Sequence, residues 1–153
     1  MQRAAGVKTR LLDQTAGTRT FVIIFDKDDE AKDGLTQFAT EHNVTAAHLT
    51  AVGGFSRAVL GYFSRDKKEY ERIPVDEQVE VLSLVGDVAV KPDGKPEVHA
   101  HVVVGRRDGS TRGGHLLEAS VWPTLEVVVT DSPEYLRKTP DPETGLAVIN
   151  PEA

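Results

Sequence analysis

Apolar residues along this chain fall mostly into short runs and alternations, with one stretch at helical spacing. Phe21-Val22-Ile23-Ile24-Phe25 is continuously apolar, the pattern of a strand covered on both faces. Val44 to Val52 reads as a further strand. In Phe55 to Phe63, Val59, Gly61 and Phe63 share one face while Leu60 and Tyr62 share the other, since strand side chains alternate. Val79, Val81, Ser83 and Val85 alternate with Glu80, Leu82, Leu84 and Gly86, and Leu125, Val127 and Val129 repeat the pattern near the end. By contrast, Leu35, Phe38, Ala39 and His42 recur every three or four residues, which predicts a helix from about Asp29 to Asn43. Gly34 weakens that helix.

Turn residues separate these segments. Thr15-Ala16-Gly17-Thr18, Pro92-Asp93-Gly94 and Gly105-Arg106-Arg107-Asp108-Gly109-Ser110 read as hairpin connections. Gly53-Gly54 reads as a turn or kink, and Gly61 as a bulge or a close approach by another backbone. Lys67 to Pro74 is the polar returning arm of a hairpin. Trp122-Pro123 interrupts the last strand pattern and implies a bulge or an edge position. The acidic run Asp26 to Glu30 suits capping of the following helix; the glycine and terminal glutamate of a calcium loop are not at the required offsets. After Asp131 the chain is turn-rich, closing on the short apolar Leu146-Ala147-Val148-Ile149. The pattern predicts about seven or eight strands, mostly antiparallel, and one early helix, which is an α+β domain.

Composition narrows the chemistry. The 153 residues suit a single domain, with a core over about 6–130 and a tail over 131–153. With no cysteine, disulfides, thiolate metal sites and cysteine nucleophiles are excluded. Met1 to Lys8 lacks the apolar centre of a signal peptide, and no run has the length of a membrane span, so the expectation is a cytoplasmic soluble protein. The net charge of −6 opposes non-specific nucleic-acid binding, which depends on Lys and Arg neutralising phosphates. Arg106, Arg107 and Arg112 nevertheless crowd around one turn; they read as solvated loop charges or as a local basic patch.

Three of the five histidines lie in Val98-His99-Ala100-His101 and Gly113-Gly114-His115. His99 and His101 are two apart on a strand and project side by side. The hairpin connection between the runs would bring His115 alongside them. Three neutral imidazoles suit a transition metal such as Zn²⁺ with an open coordination position, which would support hydrolysis or hydration by lowering the pKa of bound water. Gly113-Gly114 would allow close backbone packing near His115. The reading as surface histidines stands beside this one. His42 is placed to meet the last carbonyls of its helix, and His48 reads as a partly buried strand histidine satisfied by one hydrogen bond. No phosphate-binding loop, Gly-x-Ser-x-Gly elbow or His-Glu-x-x-His pair is present. A cupin also carries His-x-His on a strand, but normally adds a glutamate where this chain has Val104 and Gly105, and it lacks an early helix.

The ordered blocks Ala51 to Phe63, Val79 to Gly86, Val98 to Val103 and Arg112-Gly113-Gly114-His115-Leu116 resemble the plant-and-prokaryote-conserved (PPC) domain, which plants fuse to AT-hook motifs. The resemblance spans about residues 6 to 130. It implies an α+β fold with a helix against a mostly antiparallel sheet, assembled as a homotrimer, and a metal on His99, His101 and His115, Zn²⁺ or a similar ion. Trimerisation would cover strands that are apolar on both faces. Arg57, Glu80 and Arg112 flank the matching blocks and are candidates to face a substrate or support the ligands. The resemblance also implies a second reading, a DNA-binding or transcription-associated scaffolding module. This chain lacks an Arg-Gly-Arg-Pro element and is acidic. A small molecule held in the clefts between subunits is a third expectation.

Overall fold

The computed structural model describes residues 7–153; Met1 to Gly6, the start of the N-terminal segment considered above, lies outside the described residues. In chain order the elements are β1 (Lys8–Thr15), β2 (Thr18–Phe25), α1 (Ala31–Glu41), β3 (Ala47–Ser64), β4 (Glu69–Val75), β5 (Val79–Val90), β6 (Pro96–Gly105), β7 (Thr111–Asp131), β8 (Arg137–Pro140) and β9 (Ala147–Asn150). The fold is α+β, with one helix packed on a mostly antiparallel sheet, as the patterning predicts. The strands number nine among the described residues, because the tail is not merely turns. Its residues 147–150 pair antiparallel with β8, and β8 joins the end of β5 in parallel through Val90 and Arg137.

The long strands β3 and β7 organise the sheet. β3 pairs with β5, β5 with β6, β6 with β7, and β7 again with β3, so the sheet curls into a closed circuit. The inner face carries Leu49, Leu84, Val102, Leu116 and Val127, all buried. α1 packs against β6 and β7 and contributes buried Ala31, Leu35, Phe38 and Ala39. Gly34 has a packing reason: a Cβ there would stand 2.3 Å from Cε1 of the fully buried Phe25. Glu30 caps α1, one carboxylate oxygen accepting from the Asp33 N–H at 2.6 Å and the other from the Ala119 N–H at 2.9 Å. Burial pushes the Glu30 carboxyl above its ordinary value, against the lowering effect of those hydrogen bonds.

Two sequence readings need correction. Gly53-Gly54 forms no turn: β3 continues through it, with its register against β5 and β7 shifting on either side of Gly53. The glycines instead admit the bulge of β7 around the cis Trp122-Pro123 bond. A Cβ on Gly53 would lie 2.2 Å from the Thr124 carbonyl oxygen, and one on Gly54 2.3 Å from that of Trp122. His48 is exposed rather than partly buried, and no hydrogen bond holds its ring among the described residues, because alternation turns it away from buried Leu49. The other turns behave as expected. The Ala16-Gly17 hairpin has positive φ at both residues, 51° and 83°, the backbone a two-residue connection prefers.

No helix among the described residues is long and apolar enough to cross a membrane. The outer face of the sheet is unusual in exposing Val52, Leu82, Val85, Val103 and Val128. Val85 and Val103 share this face with the histidines of β6.

Candidate metal centre

β6 alternates strictly. Val98, Ala100 and Val102 are buried, while His99 and His101 turn outward. Register then assembles the neighbours. His99 lies opposite Asp87 and His101 opposite Val85 on β5; His101 lies opposite His115 on β7; and His115 lies opposite Gly61 on β3. Directly opposed residues share a face, so the hairpin at 106–110 brings the three imidazoles together. Gly114 permits this register: a Cβ there would sit 2.7 Å from the Gly61 carbonyl oxygen. Gly61 in turn leaves room for the Tyr70 ring and the Leu117 side chain, 3.0 and 3.2 Å from where its Cβ would be.

One ring nitrogen from each of His99, His101 and His115 lies within 4.8 Å of the others. The ring centroids are 4.9, 5.3 and 5.7 Å apart. Nε2 of His99 and Nε2 of His101 are 3.2 Å apart. Two nitrogens bound to one tetrahedral zinc at about 2.05 Å each would stand about 3.3 Å apart, so this spacing fits a shared ion. Polar groups stand beside the Nδ1 atoms of two of the rings. Nδ1 of His99 is 3.4 Å from Asp87 Oδ2, and Nδ1 of His115 is 3.4 Å from the Tyr70 hydroxyl, whose ring stacks on the imidazole at 4.4 Å. A carboxylate on one imidazole nitrogen favours the tautomer whose other nitrogen has a free lone pair. Oδ1 of Asp87 is buried with no hydrogen-bond partner, an arrangement that concentrates negative charge behind His99.

Electrostatics keep His115 in its ligating form. Burial, reinforced by the Lys32 ammonium and then by His99 and His101, lowers the His115 pKa to about 4. At neutral pH it is an unprotonated imidazole. Burial, with a smaller push from the Glu97 carboxylate, raises the Tyr70 phenol above its ordinary value, so Tyr70 keeps its proton.

A cavity of about 430 Å³ opens beside His99 and His115. Lys32, Tyr70, Asp87, Glu97 and Lys138 supply its polar lining, and Leu146 to Ile149 its apolar wall. Nζ of Lys138, a residue 6% exposed, is 2.7 Å from Glu97 Oε1. A second hollow, lined by Tyr62, Phe63, Tyr70, Val85 and Val103, adjoins His101. Arg57, Glu80 and Arg112 are exposed on β3, β5 and β7 and line neither cavity. Asp87 escaped the sequence reading although its signal was present: the turn at 92–94 sets the β5–β6 register that places it opposite His99. Tyr70, Lys32 and the tail come from non-local packing and had no such signal.

Several known proteins resemble this chain. Bifunctional protein GlmU from Synechococcus sp. (strain JA-3-3Ab) is 33% identical over 141 residues, which is 90% of this chain and 21% of that protein; the chain thus spans about a fifth of its curated relative. A plant- and prokaryote-conserved protein from Pyrococcus horikoshii superimposes with a TM-score of 0.80 at 32% identity, covering 86% of this chain and 91% of that one. A metal-containing protein from Archaeoglobus fulgidus superimposes with a TM-score of 0.79 at 34% identity, covering 94% and 97%. Residues 12–133 match the Plants and Prokaryotes Conserved (PCC) domain. Together with the His-x-His strand, the glycine-permitted register and the shared fold, that match makes this chain a member of the PCC-domain family.

Proposed function

We propose that this chain is a metal-binding PCC-domain protein that holds a divalent transition ion, Zn²⁺ in first place, on His99, His101 and His115, with an open position for a small molecule. The observation that carries the reading is the convergence of three ring nitrogens within 4.8 Å, with Asp87 beside Nδ1 of His99 and the Tyr70 hydroxyl beside Nδ1 of His115. The similarity to a metal-containing archaeal protein supports it. When bound, such an ion polarises an oxygen ligand or lowers the pKa of a bound water, which suits hydrolysis or ligand binding. Asp87 orients His99, and Tyr70, protonated at neutral pH, offers a hydrogen-bond donor at the cavity wall. Elemental analysis of untagged protein tests the ion. About one equivalent per chain is expected by the three-ligand reading, with loss in His101→Ala; protein free of metal overturns it.

The protein acts as a homotrimer in this reading. Exposed Val52, Leu82, Val85, Val103 and Val128 form the kind of apolar surface that marks an interface. Light scattering on Val85→Glu would show a smaller species; a wild-type monomer refutes the assembly. The competing reading, a DNA-associated module, draws on the arginine-rich turn. Arg106 there is held by Glu77 and the chain is acidic, so a gel shift at two salt concentrations should show no complex. A salt-sensitive complex would favour DNA instead.

A further inference from the structure

The cavity between the histidines and the C-terminal hairpin carries information about its occupant. Its charges are mostly accounted for. Lys138 is bonded to Glu97, and Asp87 faces His99. Lys32, the second residue of α1, lines the same cavity and makes no ion pair or side-chain hydrogen bond among the described residues. It lies near enough for its charge to bear on His115. A divalent ion on three neutral imidazoles adds two further positive charges and leaves the cavity net positive. The opposite wall is different in kind: Leu146, Ala147, Val148 and Ile149 present apolar surface. These residues lie outside the family-matched span of 12–133 and are held in place by β8–β9 pairing and by the part-buried Lys138–Glu97 bond. One side of the cavity therefore attracts an anion and the other accepts hydrocarbon.

We infer that this cavity binds a small organic carboxylate carrying a short branched apolar group, its carboxylate held by the Lys32 ammonium beside the histidine centre and its hydrocarbon against residues 146–149. The inference rests on the metal-centre reading, since the ion supplies most of the positive charge. A charge-assisted hydrogen bond exchanged for a neutral one changes affinity by about tenfold or more, and that is the expected contribution of Lys32.

Calorimetry on the 153-residue chain, with metal content measured on the same sample, tests it with isovalerate, isovaleramide and inorganic phosphate. Isovalerate should bind about tenfold more tightly than either of the others, because the amide lacks the charge and phosphate lacks the apolar group. Lys32→Met should weaken isovalerate about tenfold while leaving metal content unchanged, with Lys32→Arg restoring most of the loss. Ile149→Asp, at a residue already 37% exposed, should weaken isovalerate without unfolding the protein. Metal-free wild-type protein overturns the centre and this ligand with it. Metal-loaded protein that binds the amide or phosphate as well as isovalerate, or binds none of them, overturns the ligand alone.

Discussion

His42 and His115 each lie against an aromatic ring, at 4.6 Å from Phe38 and 4.4 Å from Tyr70, and the two stacks serve different ends. His42 ends α1. Its Nδ1 lies 3.1 Å from the Phe38 carbonyl oxygen one turn back, its ring also meets Phe21 edge-on at 5.2 Å, and no other imidazole joins it. The ring finishes a helix and fills a gap. His115 instead lies directly across the ladder from His101, with a backing partner on Nδ1 and two further imidazoles in front. Residue type and aromatic stacking are common to both regions. What separates them is where the second nitrogen has to go: at a helix end one ring meets its own carbonyls, while on paired strands register can aim several rings at one point.

Four measurements would break or sharpen that contrast. The largest effect is on metal content. His101→Ala should lose the ion and keep the fold, because the side chain is exposed, whereas His42→Ala should retain the ion in full. Equal metal content in the two variants would erase the distinction. Next, Asp87→Asn should weaken metal affinity by about 10- to 100-fold, the usual effect of removing a carboxylate behind a ligating histidine, as read by chelator competition. An unchanged affinity would detach Asp87 from the centre.

The third effect is on stability against pH in metal-free protein. The His115 ring titrates near 6.5 when unperturbed and at about 4 in the fold, so over that interval the unfolded chain binds a proton that the native protein refuses. Stability from this group is full above about 6.5 and declines as the pH falls towards about 4, where the native ring also protonates. Denaturant titrations from pH 7 to pH 4 should show a flatter decline in His115→Gln; identical slopes would remove the burial argument. The smallest effect belongs to His42→Ala, which should cost about 1 kcal/mol through a lost stack and a lost local hydrogen bond. A loss several times larger would mean that His42 supports more than its own helix end.

Much of the architecture is visible in the sequence because it follows from local periodicity. The alternation in Val79 to Gly86 and Val98 to Val104 settles which side chains face inward, and the turns at 92–94 and 105–110 settle which strands are neighbours. Those two facts place His99, His101 and His115 on one face, and the register implied by the first turn contains Asp87 as well. The acidic run before α1 yields the cap at Glu30 for an equally local reason.

Other features depend on packing partners far away in the chain. Gly34 counts against a helix in isolation, yet Phe25 occupies the space a Cβ would need. Gly53-Gly54 looks like a turn but makes room for the β7 bulge, some seventy residues later. The tail reads as turns because β8 and β9 are too short to show a pattern, and they become strands only by pairing with each other and with the end of β5. The sequence by itself therefore determined that His99 and His101 share one face of the sheet, through a two-residue period, and offered His115 as a neighbour through a connection of hairpin length; the strand register brought it in. Only the tertiary structure decided what surrounds them: Tyr70 from β4, Lys32 from α1 and an apolar wall from the C-terminal hairpin, brought together because the sheet closes on itself.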